Sequence, residues 1–197
     1  LSGLLAARKF AGTNYDVLLV EREDALGGIL KNADKIKSIN DQPADEWLEK
    51  TERLIRNSNN IKILKNTLVT TYNFSDHLIA LEDKNVGKPQ DNEKPELVLH
   101  KIRTKHTILA NGHIERFITF RNNDLPGVML AASFEKYLNR YGVVPDESPI
   151  IFTNNSSTFS LLKSLTDLGH KPKAYVDIRD QKNIEKETVE LLEKFSI

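Results

Sequence analysis

The sequence contains no cysteine. That excludes disulfides, thiolate metal sites, iron–sulfur clusters and a redox-active cysteine pair within this stretch. Its five histidines are scattered without metal-ligand spacing, and no metal ligand is assigned. Neither sign of charge is in excess: 28 Lys and Arg balance 28 Asp and Glu. A neutral chain has no overall basic field for a nucleic acid or an anionic membrane. No apolar run approaches the roughly 20 residues that cross a bilayer. No basic-then-apolar leader opens the chain. These absences predict a cytoplasmic protein with neither nucleic acid nor membrane as partner. An initial methionine is missing as well. The chain enters a helical pattern at Leu1-Ser2-Gly3 and leaves another at Phe195-Ser196-Ile197, which predicts a piece of a longer protein.

What remains is 197 residues, 39% hydrophobic and 28% charged, a composition suited to a globular protein. Leu4–Phe10 predicts a helix that Gly12 ends. Asp16–Val20 (DVLLV) is a short, nearly continuous apolar run, the mark of a strand buried on both faces in a parallel sheet. Residues 31–42 are polar and predict a loop. Pro43 suits the first turn of a helix reaching Asn57, with Trp47, Leu48, Thr51, Leu54 and Ile55 as its buried stripe. Ile61–Leu64 is a further short strand. The period then changes to two: Thr67–Phe74, His77–Glu82 and Glu96–Ile102 predict an antiparallel meander over 67–103, with a solvated loop at Asp83–Pro95. Thr107–Ala110 (TILA) predicts a buried strand before Asn111-Gly112, and a helix follows at Leu130–Tyr141. From Ser148 the pattern restarts: strand Ile150–Phe152, polar turn Thr153–Ser157, helix Ser160–Leu168, strand Ala174–Ile178 and helix Glu185–Phe195.

The chemistry resides in the first half. A dinucleotide fold joins its first strand to a helix by a glycine-rich turn, and the helix N-terminus faces the pyrophosphate. An acid about 20 residues on, at the end of the second strand, accepts from the ribose hydroxyls. Gly3 and Glu21, 18 positions apart, match the last glycine and the acid; the first strand and its earlier glycines would precede residue 1. The alternative is a packing glycine and a solvated strand end. Gly27-Gly28 permits close approach of backbone to a ligand, and also fits an ordinary turn. TILANG, residues 107–112, resembles the strand-plus-Ala-Thr-Gly signature of two-dinucleotide-domain flavoproteins, with Asn111 in place of Thr. The order of these features resembles a glutathione-reductase-type nucleotide-binding domain. In the second half, Thr153-Asn154-Asn155-Ser156-Ser157 stands where a phosphate turn would need glycines. A strand-to-helix turn with Ser or Thr capping is the preferred reading there.

A more specific likeness lies between Ala110 and Pro145 (ANGHIERFITFRNNDLPGVMLAASFEKYLNRYGVVP). Its core is Glu115-Arg116, Asn122-Asn123-Asp124, Pro126-Gly127-Val128-Met129-Leu130 and Tyr137-Leu138-Asn139-Arg140-Tyr141-Gly142. IIFTNNSSTF at 150–159 and, more loosely, TLVTTYNFSDH at 67–77 extend it. This resembles the alpha subunit of heterotetrameric sarcosine oxidase. Opine oxidase and dye-linked proline dehydrogenase large subunits share parts of it. The resemblance implies a noncatalytic NAD in a Rossmann-like first domain, residues 1–147, and a truncated second Rossmann-like unit at 148–197. It implies flavins on a beta subunit and at the interface with it, further small subunits, an amine substrate on the partner, and tetrahydrofolate as one-carbon acceptor elsewhere in the full-length chain. The alternative is a stand-alone reductase with FAD in the first fold. The expected cofactor contacts are Gly3, Glu21, Arg22, Gly27, Gly28, Leu68, Ala110, Asn111 and Gly112; no catalytic residue is assigned. His113 beside Glu115 and Arg116 fits a ligand contact or a loop ion pair. His77, His100, His106 and His170 are expected at the surface or at strand ends, Tyr137 and Tyr141 on a helix packing face, and Lys35 and Lys37 in solvent.

Overall fold

The computed structural model describes residues 1–32, 36–74, 76–86 and 96–197. Lys35 and most of the loop at 83–95 lie outside the described residues. By contacts the chain divides into two compact units, residues 1–28 with 38–112, and residues 29–37 with 113–197.

In the first unit, α1 (Ser2–Phe10) leads to β1 (Val17–Val20), which pairs in parallel with β4 (Ile61–Leu64). Asn60 sets the turn between α1 and β1. Its amide nitrogen donates to the carbonyls of Phe10 and Tyr15 at 2.8 and 2.7 Å, and its oxygen accepts from the Gly12 amide. Between the strands runs α3 (Ala44–Arg56), whose Trp47, Leu48, Thr51 and Ile55 are buried. Leu54 is the exception to the expected stripe, 44% exposed. Leu4 and Ala7 of α1 are buried in the same unit, where α1 packs on α3 and Arg8 lies over the Trp47 ring. Full burial of one such side chain stabilises by about 2 kcal/mol.

β5 (Thr67–Asn73), β6 (His77–Asp83) and β7 (Leu97–Arg103) form the antiparallel meander, within one residue of the pattern in the sequence at nearly every end. Leu78, Ala80 and Glu82 point to its buried face. Three expectations change here. β1 is half-buried along its length, because it has one strand neighbour among the described residues. Thr107–Ala110 has no regular structure, and Ile108 and Leu109 are 61% and 72% exposed. A strand needs a ladder neighbour for its backbone groups, and no described strand runs beside this one. The stretch 31–42, expected as loop, contains the end of a short helix, α2 (Ile29–Asn32), and half of a hairpin. β2 (Ser38–Ile39) and β3 (Gln42–Pro43) flank Asn40 and Asp41, both at positive φ as a tight hairpin turn requires.

In the second unit, β8 (Ile150–Thr153) pairs in parallel with β9 (Ala174–Asp177), with α5 (Phe159–Asp167) between them and α6 (Lys186–Phe195) after. The core joins Phe134 of α4 (Ala131–Tyr141) to Ile151, Leu161, Leu162 and Leu165. Residues 113–147 therefore pack with this unit rather than with the domain that precedes them in sequence. The architecture is mixed α/β with parallel pairs and one antiparallel sheet. No helix among the described residues is long and apolar enough to cross a membrane.

Candidate functional site

Open parallel sheets present ligands at the carboxyl ends of their strands. In the first unit that end is the turn after β1. Glu21 closes the strand with its amide donating to the Leu64 carbonyl and its own carbonyl accepting from Thr67, at 2.8 and 2.9 Å. One oxygen of its carboxylate accepts from the Glu23 amide at 3.0 Å, so the acid is held by its own turn. The Asn66 amide donates to the Glu23 carbonyl, and the Lys65 ammonium to the Asp24 carbonyl at 2.6 Å. Two connections, 21–24 and 64–67, are thus laced together. Arg22 is exposed and its guanidinium lies 3.2 Å from the Glu23 carboxylate.

Gly3, in the first turn of α1, lies against Leu19 of β1 and against Ala110. A Cβ added there would sit 3.5 Å from the Ala110 Cβ and 3.7 Å from Leu19, ordinary contact. This is the helix-on-strand packing role that the last glycine of a dinucleotide turn serves. Of the alternatives left open by the sequence, packing is the one these contacts show at Gly3. Gly27, Gly28 and Gly112 all adopt positive φ (121, 55 and 71°). Leu68 follows Thr67, whose amide is tied to Glu21, but its side chain is 48% exposed and faces Leu81 across the ladder. Ala110 and Asn111 are exposed. The structure thus brings Gly3 to Ala110 and ties Thr67, the residue before Leu68, to Glu21.

The second unit places different chemistry at the same end. Asp177 ends β9 with its side chain buried. Arg179 grips it with Nε and Nη2 and with its own amide, at 2.7 to 3.2 Å. The other arm of Arg179 donates to Ser156 Oγ and to the Asn183 carbonyl, both at 3.1 Å, and Nη2 also reaches Glu185. Ser156 bonds Glu185 as well. Hydrogen bonds from Arg179 hold Asp177 below the usual carboxylate range. Glu185 is also lowered, chiefly by Ser156. The turn itself is capped by a side chain as expected, but the cap is Asn155, accepting from the Ser157 amide at 2.8 Å. This four-residue cluster was not found by sequence; a D-x-R at a strand end followed by Glu185, the cap of α6, is the signal that marks it.

Other expectations resolve structurally. Glu115 caps α4 by accepting from the Ala132 amide at 2.7 Å. His100 lies within β7 and contacts the buried Glu82 at 2.7 Å, which Lys84 contacts too. Lys84 first, then His100, lowers the Glu82 pKa. Tyr137 and Tyr141 are 46% and 55% exposed and face each other, so they are not a packing face among the described residues. No His, Asp and Glu grouping suited to a metal occurs among the described residues.

No family model matches the chain. It is 32% identical over 171 residues to the sarcosine oxidase subunit alpha of Corynebacterium sp. (strain P-1), covering 85% of this chain and 18% of the relative. The Rhizobium meliloti (strain 1021) subunit alpha is 31% identical over 198 residues, covering 95% and 20%. Among solved structures, the L-proline dehydrogenase of P. horikoshii superposes with a TM-score of 0.65 at 22% identity, over 91% of this chain and 33% of that one, a likeness of fold. The chain is a relative of the sarcosine oxidase alpha subunits and spans about a fifth of the length of those it matches.

Proposed function

We propose that the carboxyl end of β1 holds the adenosine half of a dinucleotide, within the alpha subunit of an amine oxidoreductase. Glu21 carries the proposal: a pre-positioned carboxylate at the end of a parallel strand, beneath a helix whose glycine packs on that strand. Its second oxygen accepts from ribose hydroxyls, while Gly27, Gly28 and Gly112 keep the backbone near the ligand free of Cβ atoms. The residues present fit the ribose half. The phosphate turn belongs to a strand along the open edge of β1, which would also give Thr107–Ala110 its ladder neighbour. Helix α1 then directs its N-terminus at the pyrophosphate. In chain order the dinucleotide domain is read over 1–147 and the second Rossmann-like unit from 148, with residues 113–147 packing on the latter.

NAD is the proposed occupant and FAD the alternative. Oxidation of a secondary amine needs an electron sink, which flavin supplies, and it is placed on a beta subunit and at its interface. Further small subunits, tetrahydrofolate as one-carbon acceptor elsewhere in the full-length chain, sarcosine as the amine and a cytoplasmic setting complete the proposal. The second unit holds no nucleotide, because Arg179 fills the strand ends with an internal ion pair. The test is to purify the full-length subunit without partners, denature it and identify what is released. NAD with no flavin is expected, together with no hydrogen peroxide from sarcosine. Release of FAD with robust turnover by the lone subunit would establish the stand-alone flavoenzyme instead.

A further inference from the structure

Two cations lie at the laced strand ends, Arg22 in the turn after β1 and Lys65 in the connection after β4. Either one would suit a 2′-phosphate. Both already have partners within the protein. Lys65 is spent on the Asp24 carbonyl at 2.6 Å, and Arg22 on the Glu23 carboxylate at 3.2 Å. Glu23 is the more enclosed partner of that pair, 21% exposed against 65% for Arg22. Its backbone is fixed on both sides, the amide to Glu21 Oε1 and the carbonyl to the Asn66 amide. Asn66 is itself held in the left-handed region at φ 51°, with its carbonyl accepting from Asp83 of the meander. The acid that restrains Arg22 therefore sits on a rigid backbone, not on a loose loop.

We propose that Glu23 is a specificity-determining residue: it holds Arg22 away from the ribose edge and makes the rim anionic, so the site takes dinucleotides with a free 2′-hydroxyl and rejects 2′-phosphorylated ones. This rests on the dinucleotide reading of the site, and it applies equally to NAD and FAD. Two carboxylates, Glu21 and Glu23, repel a phosphate dianion. Without Glu23, the planar guanidinium of Arg22 is free to pair with phosphate oxygens in a fork. Discrimination then rests partly on a repulsive element, as specificity often does.

The experiment titrates the full-length protein with NAD and with NADP by calorimetry, for the wild type, Glu23→Gln, and the double variant Arg22→Gln with Glu23→Gln. Glu23→Gln should raise NADP affinity relative to NAD about tenfold, the scale of one charge-assisted contact. The double variant should lose that gain, because Arg22 provides it. Wild type that binds NAD, with an unchanged NADP-to-NAD ratio in Glu23→Gln, overturns the role of Glu23 and leaves the dinucleotide site standing. A gain that persists in the double variant removes Arg22 from the account and overturns the proposal too. Wild type that binds neither nucleotide and carries no flavin overturns the site and the inference together.

Discussion

At the end of β1, Glu21 gives one carboxylate oxygen to its own turn, and its neighbours are laced by main-chain bonds. At the end of β9, Asp177 gives both oxygens to Arg179, which also ties Ser156, Asn183 and Glu185. Both acids close a strand of a parallel pair with a helix between its strands. The difference is where the counter-charge lies. In the first unit one carboxylate oxygen is held by the acid's own turn, and the remaining charge is proposed to meet a ligand. In the second it is met from within, and the loop 178–185 is pinned over the strand ends as a result. A repeated strand–helix–strand design therefore fixes where a site forms. Single side chains decide whether it stays open.

Breaking the clasp should have the largest effect. Arg179→Ala removes six side-chain donations at once and leaves Asp177 buried without its partner. Amide exchange across 178–185, followed by mass spectrometry, should accelerate about tenfold or more, as for a segment released to local opening. Exchange at 21–24 should not change. Equal acceleration at both ends would mean that the clasp serves general stability and not its own loop.

Replacing the two acids separates them by ligand. Glu21→Gln should weaken NAD binding to the full-length protein about tenfold, the cost of charge-assisted hydrogen bonds to ribose. Asp177→Asn should leave NAD affinity alone. If calorimetry gave the reverse, the open and closed ends would have to be exchanged.

Acid sharpens the contrast further. Asp177 is lowered by Arg179, and Glu185 by Ser156. Between folded and unfolded values the unfolded chain binds more protons, so stability rises with pH there. The contribution is complete above the unfolded carboxylate range, about pH 4, and fades as pH falls through the depressed folded values. Asp177→Asn should flatten the fall of melting temperature below about pH 4. An unaltered slope would show that the clasp does not titrate.

Glycines give the smallest effects. At Gly3 an added Cβ makes ordinary contacts, and no positive φ is needed. Gly3→Ala should be neutral or stabilise by up to about 1 kcal/mol through helix propensity. Gly28 has open space around it but φ of 55°, so Gly28→Ala should cost about 1 kcal/mol in urea unfolding. Comparable losses at both would contradict the packing seen at Gly3.

Much of the fold was legible because short apolar runs and alternation leave strong marks. Ile61–Leu64 is a strand over the span its sequence predicts, and the meander follows its period-two pattern. Thr107–Ala110 misleads because an apolar run reports a wish for burial, not the presence of a neighbouring strand. The hairpin at 38–43 escapes because two-residue strands have no period; Asn40-Asp41 is its readable trace. At the proposed site, the spacing from Gly3 is what singles out Glu21 in the sequence. The lacing from Lys65 and Asn66 is not legible there, since it joins turns about 40 residues apart through backbone groups that any sequence carries. The Arg179 cluster was missed for a related reason. Its partners at 156, 177 and 185 meet only once the two strands are aligned.

The open-versus-closed account is tested most directly by hydrogen exchange of the full-length protein with and without saturating NAD. Protection should appear in peptides covering 21–28 and 108–112. It should be absent from those covering 153–158 and 178–185. Protection confined to the second pair of segments, with none around Glu21, would contradict the account.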